Sequence, residues 1–369
     1  MTRFVQIHWL TSYPATLLNR DDAGLAKRMP FGGAPRARVS SQCLKRHWRT
    51  AEDVHSLANV GVPMGSRSKK TVETLILPEA EADGASDAQK AVLKVFVEQL
   101  YSDKDSAKRQ ALFFGKPEID YLREKALACL DAPEPAKAAE AFFKDERANL
   151  RALKHGAGLE SALFGRMMTS DPSANTDAAI HVAHALSVHR IERDLDYLTA
   201  VDDLDAGTGA AGLFDVELTS ALYYGYVVVD VPLLISNLAN DAQTAGKVVE
   251  HLIHLIAEVS PGAKKGSTAP YARAEVLLVE VGDRQPRTLA NAFRTPVALG
   301  SNRLFEESAE KMAEYLGKLD SAYNTGEARK AVNLSDAALP NTQTADLASI
   351  AAWVAQEIAY SEATHRGAA

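Results

Sequence analysis

Cysteine is scarce in this 369-residue chain: only Cys43 and Cys129 occur, far apart and without metal-ligand spacing. Two isolated thiols exclude a disulfide framework, and they fit a reduced, cytoplasmic setting. No apolar run approaches the ~20 residues that span a bilayer. Polar Gln6, His8, Thr11 and Ser12 interrupt the N-terminal stretch where a secretion signal would be apolar. GxSxG, Walker A and GxGxxG contexts are absent, so the common hydrolase, P-loop and dinucleotide readings have no support. The most informative absence is of negative charge. Between Ala23 and Ala51 there is no Asp or Glu, although the whole chain carries a formal charge of −7.

That same segment holds Lys27, Arg28, Arg36, Arg38, Lys45, Arg46 and Arg49. Positive charge concentrated against an acidic background points at an anion, and a nucleic acid is the commonest polyanion. A solvated basic face is the plainer alternative. The flanking residues sharpen the reading. From Arg3 to Leu10, Val5, Ile7 and Trp9 alternate with Gln6 and His8, the pattern of a half-buried strand. A long loop is expected from Asn19 through Gly32-Gly33 to Pro35, with paired glycines that allow positive φ. Ser40 or Ser41 can then cap a helix starting at Gln42. Leu44, Trp48 and Ala51, with His55 as an optional extension, form its apolar stripe, and Gln42, Lys45, Arg46 and Arg49 lie on the opposite side. A helix N-terminus beside a cationic row grips phosphates without reading bases.

Composition is that of a globular protein, 46% hydrophobic and 24% charged, with length for about two domain-sized units. Ser56–Ser86 is loop-rich. Asp87 to about Leu163 is helical in pattern, with a third helix after Pro133 and Pro135 that carries Lys137, Lys144, Arg147, Arg151 and Lys154 along one side. After Thr169 strand patterns dominate: Ile180–Val188, Tyr223–Val231 and Ala274–Val281, with a helix over Asp241–Val259. The mixed order indicates α+β with a central sheet.

The run Asn19-Arg20-Asp21-Asp22, then Phe31-Gly32-Gly33, then RARVSSQCLKRHWR over Arg36–Arg49, resembles the CasC-type backbone subunit of type I-E CRISPR Cascade surveillance complexes. SALFGRMMTS (161–170), TAVDDL (199–204) and VSPGAK (259–264) extend the likeness in the same order. The resemblance implies a non-enzymatic subunit that polymerises along a guide crRNA and presents kinked segments for pairing with target DNA. Its partners would be further copies of itself and the large, small, 5′-handle-binding and crRNA-processing subunits, with no cofactor or metal. The implied fold is a hand. Residues 1–60 and 170–369 would form a modified RRM/ferredoxin-like palm, 61–169 a helical fingers insertion, and about 200–222 a β-hairpin thumb. An RRM aromatic signature such as K-G-F-G-F-V-x-F is absent, which favours phosphate clamping over base stacking. On this reading Arg20, Lys27, Arg38, Lys45, Arg46 and Arg49 contact RNA phosphates, and Ser40 and Gln42 hydrogen-bond the chain. Arg166, Met167 and Met168 match the palm motif beside a base kink, with Lys264 a further backbone contact. Leu213 and Phe214 would be the thumb wedge, and Lys137, Lys144, Arg147 and Arg151 would touch incoming DNA.

Catalytic alternatives are few. His251 and His254 with Glu250 and Glu258 offer a two-histidine carboxylate face on one helix. The plainer reading is a polar helix edge, because apolar residues alternate with both histidines. In an Ile180–Val188 strand, His181 and His184 fall on opposite faces. A second enzymatic option uses Asp21 or Asp22, beside the expected RNA track, to hold a metal ion that cleaves RNA. A stand-alone RNA-binding regulator with base preference is a third reading.

Overall fold

A computed structural model describes residues 2–101, 103, 105–145, 158–167, 175–201, 210–262 and 268–366; at 199–201, 210–214 and 361–366 only the backbone course is described. The chain divides into two compact units. One comprises Met1–Leu57, His181–Val231 and Ala245–Ala369, the other Ala58–Ile180 and Pro232–Thr244.

The first unit is built on a mixed sheet. Its central strand, β1 (Phe4–Thr16), pairs antiparallel with β9 (Ala210–Asp230) on one side and β10 (Val276–Gly282) on the other. Beyond β10 lie β11 (Ala328–Asn333) and the two-residue β12 (Gln343–Thr344). Beyond β9 come β7 (Ala185–Ser187), β3 (Ala34–Val39) and β2 (Arg28–Phe31), while β6 (Ile180–Val182) and β8 (Asp194–Val201) also pair with β9. The expected long loop before the basic helix is therefore partly a β-hairpin. Phe31 pairs with Ala34 across Gly32 and Gly33, both at positive φ, the requirement of a two-residue turn that matches strand twist. A Cβ at Gly32 would lie 1.6 Å from the Arg294 carbonyl oxygen, so this position admits glycine alone.

The first strand is not half-buried. Val5, Ile7 and Trp9 are buried on one side, but Gln6 and His8 are buried on the other. A charged network explains how. His8 donates Nε2–H to Glu280 at 2.9 Å and accepts the Tyr224 hydroxyl at Nδ1, 2.8 Å away. Arg287 and Arg329 also engage the Glu280 carboxylate, at 2.7 and 2.6 Å respectively, and Arg329 continues to Asp320. Burial alone would raise the Glu280 pKa; the hydrogen bonds from Arg287 and His8 reverse that and hold it well below the ordinary carboxylate value. On the same face Leu10, Leu278 and Ala331 pack with Ala309, Met312 and Leu316 of the helix Leu304–Tyr323. On the other face Trp9 meets Trp48 edge-on at 6.1 Å and fills the space a Cβ at Gly225 would take.

The second unit is largely helical. Its helices include α2 (Asp87–Leu100), α3 (Lys116–Leu130), α4 (Pro135–Asp145) and α5 (Leu159–Phe164), with a two-stranded ribbon of β4 (Gly65–Ser68), in the segment read as loop-rich, and β5 (Leu112–Gly115), inside the segment read as helical. Ser86 and Gln89 close a capping box on α2. Phe96, Leu122, Ala126, Ala139 and Phe143 form its core, with Phe96 and Phe143 edge-to-face at 4.8 Å.

Candidate nucleic-acid interface

The basic helix, α1 (Ser41–Arg49), begins one residue earlier than the sequence suggests, because Ser40 is the cap. The Ser40 hydroxyl accepts the Cys43 N–H at 3.3 Å, and its own N–H donates to Asn19 Oδ1 at 3.0 Å. Ser40 is buried in this role, so it shapes the helix terminus and does not present a hydroxyl outward. Leu44 and Trp48 anchor the inner face, leaving Gln42 and Arg46 exposed and Lys45 and Arg49 half-buried.

Two neighbouring segments add cations. The Lys27 carbonyl accepts the Arg38 N–H at 2.8 Å, which holds the strand entering α1 against the hairpin's start. Arg38 donates Nη1–H to His184 Nδ1 at 3.1 Å. Burial, then Arg38 and Lys27, push the His184 pKa down. Burial raises the Cys43 thiol, while Lys27 and Arg46 pull against it. Lys27, Arg38 and Arg46 thus act on one small region around the α1 N-terminus, where the helix dipole adds to their field. Burial lowers the Lys45 pKa, in keeping with an ammonium whose stem lies along the helix. Among the described residues none of Arg20, Lys27, Arg38 and Arg46 is ion-paired to a carboxylate. A fourth segment meets the helix from the far side: Gly262 donates its N–H to His47 Nε2 at 2.8 Å, while His47 Nδ1–H donates to the Cys43 carbonyl. The Pro261-Gly262 turn therefore sits on α1, though Lys264 lies outside the described residues.

Other expectations fare differently. Arg36 is no part of this cationic face. It is fully buried, and its guanidinium donates to the carbonyls of Phe31 (3.2 Å), Ser187 (2.9 Å) and Phe293 (2.7 Å), tying hairpin to sheet. Arg166, expected in the motif beside a base kink, is likewise enclosed, in the second unit, where its Nη1 pairs with Glu118 Oε1 at 2.5 Å. Its neighbour Met167 is 66% exposed, and Met168 lies outside the described residues. Leu213 and Phe214 fall on β9, paired with Thr199 and Leu198 of β8, and their side chains lie outside the description. Leu195, Tyr197 and Leu198 on β8 are exposed. Lys137 is exposed and pairs with Glu134 just before its helix, Lys144 is exposed, and Arg147 and Arg151 lie outside the described residues.

Asp21 is occupied locally: its Oδ1 accepts the N–H groups of Ala23 and Leu25, closing a loop that Arg20 and Ala26 bridge. Asp22 is exposed, and neither belongs to a group of metal-ligating side chains among the described residues. Sequence reasoning missed the roles of His47 and His184, because their partners Gly262 and Arg38 lie 215 and 146 residues away in the chain.

The profile of the CT1975-like protein family matches residues 5–356. The chain belongs to that family. In fold this CT1975-like chain is similar to a chain of a "CRISPR RNA-guided surveillance complex, pre-nicking", with a TM-score of 0.79 at 27% identity over 96% of this chain and 99% of the other. It also shares its fold with a chain of a "CRISPR RNA-guided surveillance complex", at a TM-score of 0.69 and 23% identity over 96% and 99%. No curated protein is significantly similar to it in sequence.

Proposed function

We propose that this CT1975-like protein is a non-catalytic backbone subunit of a Cascade complex, of the type I-E form, that polymerises along a guide crRNA and grips its phosphates. The observation that carries the reading is the convergence of Lys27, Arg38 and Arg46 on the N-terminus of α1, with no carboxylate partner among the described residues. Such a surface binds backbone and carries no base code, so sequence would be read by pairing of the guide with target DNA. Family membership and the 27%-identical surveillance-complex chain support it, and the N-terminal motif block supports the type I-E label. In the same terms the sheet unit serves as a modified RRM-like palm, residues 58–180 with 232–244 as fingers, and the β8–β9 ribbon as thumb. The exposed Leu195, Tyr197 and Leu198 suit a ribbon that docks elsewhere. The backbone hydrogen bonds of Asp21 support a loop anchor over an RNA-cleaving metal ligand.

Native mass spectrometry of the chain co-expressed with a repeat-spacer RNA and its neighbouring subunits tests this. Several copies on one RNA, lost in Lys27→Glu/Arg46→Glu, are expected. A discrete monomer or dimer that ignores the guide would overturn the reading, and metal-dependent RNA cleavage abolished by Asp21→Ala would replace it with a nuclease.

A further inference from the structure

Away from the cationic face, the segment after α1 and the C-terminal half of α6 (Ala242–Glu258) gather three metal-ligating side chains. His254 and Glu258 are four residues apart and share one helix face. His55 arrives from the other segment, and one donor atom of each of the three lies within 4.8 Å of the others. The rings of His55 and His254 stack at 3.6 Å between centroids with 6° between planes. His254 is 8% exposed, and its Nδ1 has no hydrogen-bond partner. The Glu258 carboxylate stands 3.4 Å from that nitrogen, within ion-pair range yet outside hydrogen-bond geometry. A buried ring nitrogen left without a partner is uncommon in a folded protein and asks for a ligand.

The surroundings are arranged like an outer shell. The His251 ring lies edge-on to His55, with Nδ1 3.0 Å from the His55 carbonyl and 3.1 Å from that of Ser56. Arg273 stands 3.3 Å from the second Glu258 oxygen and orients the carboxylate.

We propose that His55, His254 and Glu258 bind one divalent transition-metal ion, of which Zn²⁺ has the matching chemistry. Two imidazoles and a carboxylate form a three-ligand set that leaves a fourth position for water. Magnesium and calcium, which take all-oxygen shells, are poor fits. In the stacked arrangement the two ring lone pairs lie in parallel planes, so binding must tilt the half-buried His55 ring toward His254. The ion would clip the segment that follows α1 to α6, a structural role independent of RNA.

The untagged full-length chain, stripped with chelator, is titrated with Co²⁺ as a spectroscopic probe and with Zn²⁺ by calorimetry, without RNA. One equivalent giving visible ligand-field bands, displaced by Zn²⁺, is expected, with a rise in melting temperature. Glu258→Gln and His55→Gln should each weaken the site by more than the roughly 10–100-fold that loss of an outer-shell partner costs, while circular dichroism stays unchanged. Absence of a saturable Co²⁺ spectrum, or binding indifferent to both substitutions, overturns the proposal. Guide loading is read separately, so failure of one assay leaves the other interpretable.

Discussion

Replacing Lys27 and Arg46 together by alanine isolates the electrostatic grip from the fold. Arg46 is exposed, Lys27 is half-buried, and neither is tied into the core. Single-stranded binding loses about 0.7 in the logarithmic salt slope per phosphate contact. With six contacts, from Arg20, Lys27, Arg38, Lys45, Arg46 and Arg49, the slope would be about −4, and the double variant should bring it to about −3. Extrapolated from 1 M to 0.15 M salt, two lost contacts correspond to about 15-fold weaker binding, roughly 1.6 kcal/mol. Fluorescence anisotropy of a labelled single-stranded RNA, repeated across a KCl series, reads both quantities. Melting temperature should stay within ~2 °C, since surface substitutions commonly change stability by about 0.5 kcal/mol or less. An unchanged salt slope would refute the placement of phosphate contacts at the α1 N-terminus, whatever the affinity did. An equal loss for RNAs of one composition only would point to base readout instead.

Three further outcomes follow from the packing. Arg36→Leu leaves the carbonyls of Phe31, Ser187 and Phe293 without their donor and should cost about 3 kcal/mol or more in chemical denaturation, with RNA affinity falling only as the fold does. Gly32→Ala combines a left-handed alanine with a collision against the Arg294 backbone, and a loss of about 2–5 kcal/mol by thermal unfolding is expected; wild-type stability would contradict the turn geometry. Stability should fall with acidification in two windows. His8, whose folded pKa is lowered by burial, is protonated first in the unfolded chain, so stability is lost as pH drops below about 6.5. Glu280, with its folded pKa depressed by Arg287 and His8, adds a second loss below about 4.5. Denaturation midpoints in His8→Asn should show a smaller upper loss, to which His184 and His189, also lowered by burial, still contribute, and should keep the lower.

Local chemistry made much of this protein legible in sequence. Period-two alternation marks β1, runs of β-branched residues mark the inner half of β9 and β10, and a capping serine with an apolar stripe marks α1 within one residue. The acid-free stretch located a cationic surface because exposed charge needs no distant partner to be recognised. The helices Leu304–Tyr323 and Leu347–Arg366 were not singled out, and a short ribbon strand at Leu112–Gly115 was hidden inside a helical pattern. Four residues are too few for a period to emerge.

Charge that points inward is where sequence reasoning fails. Arg36 and Arg166 look like their neighbours along the chain, yet each is buried against acceptors from remote segments: three carbonyls for one, Glu118 for the other. Gln6 and His8 read as a wet face, and a carboxylate 272 residues beyond His8 in the chain made that face a core. His254 was paired in sequence with His251, its neighbour on the helix, whereas the fold stacks it on His55. Residues close together in the chain were enough to mark β1, α1, the inner half of β9 and β10, and the segment where positive charge accumulates. Which cations face outward, which polar residues belong to the core and which histidines meet depend on the folded arrangement, because desolvation is set by partners that the chain brings from far away.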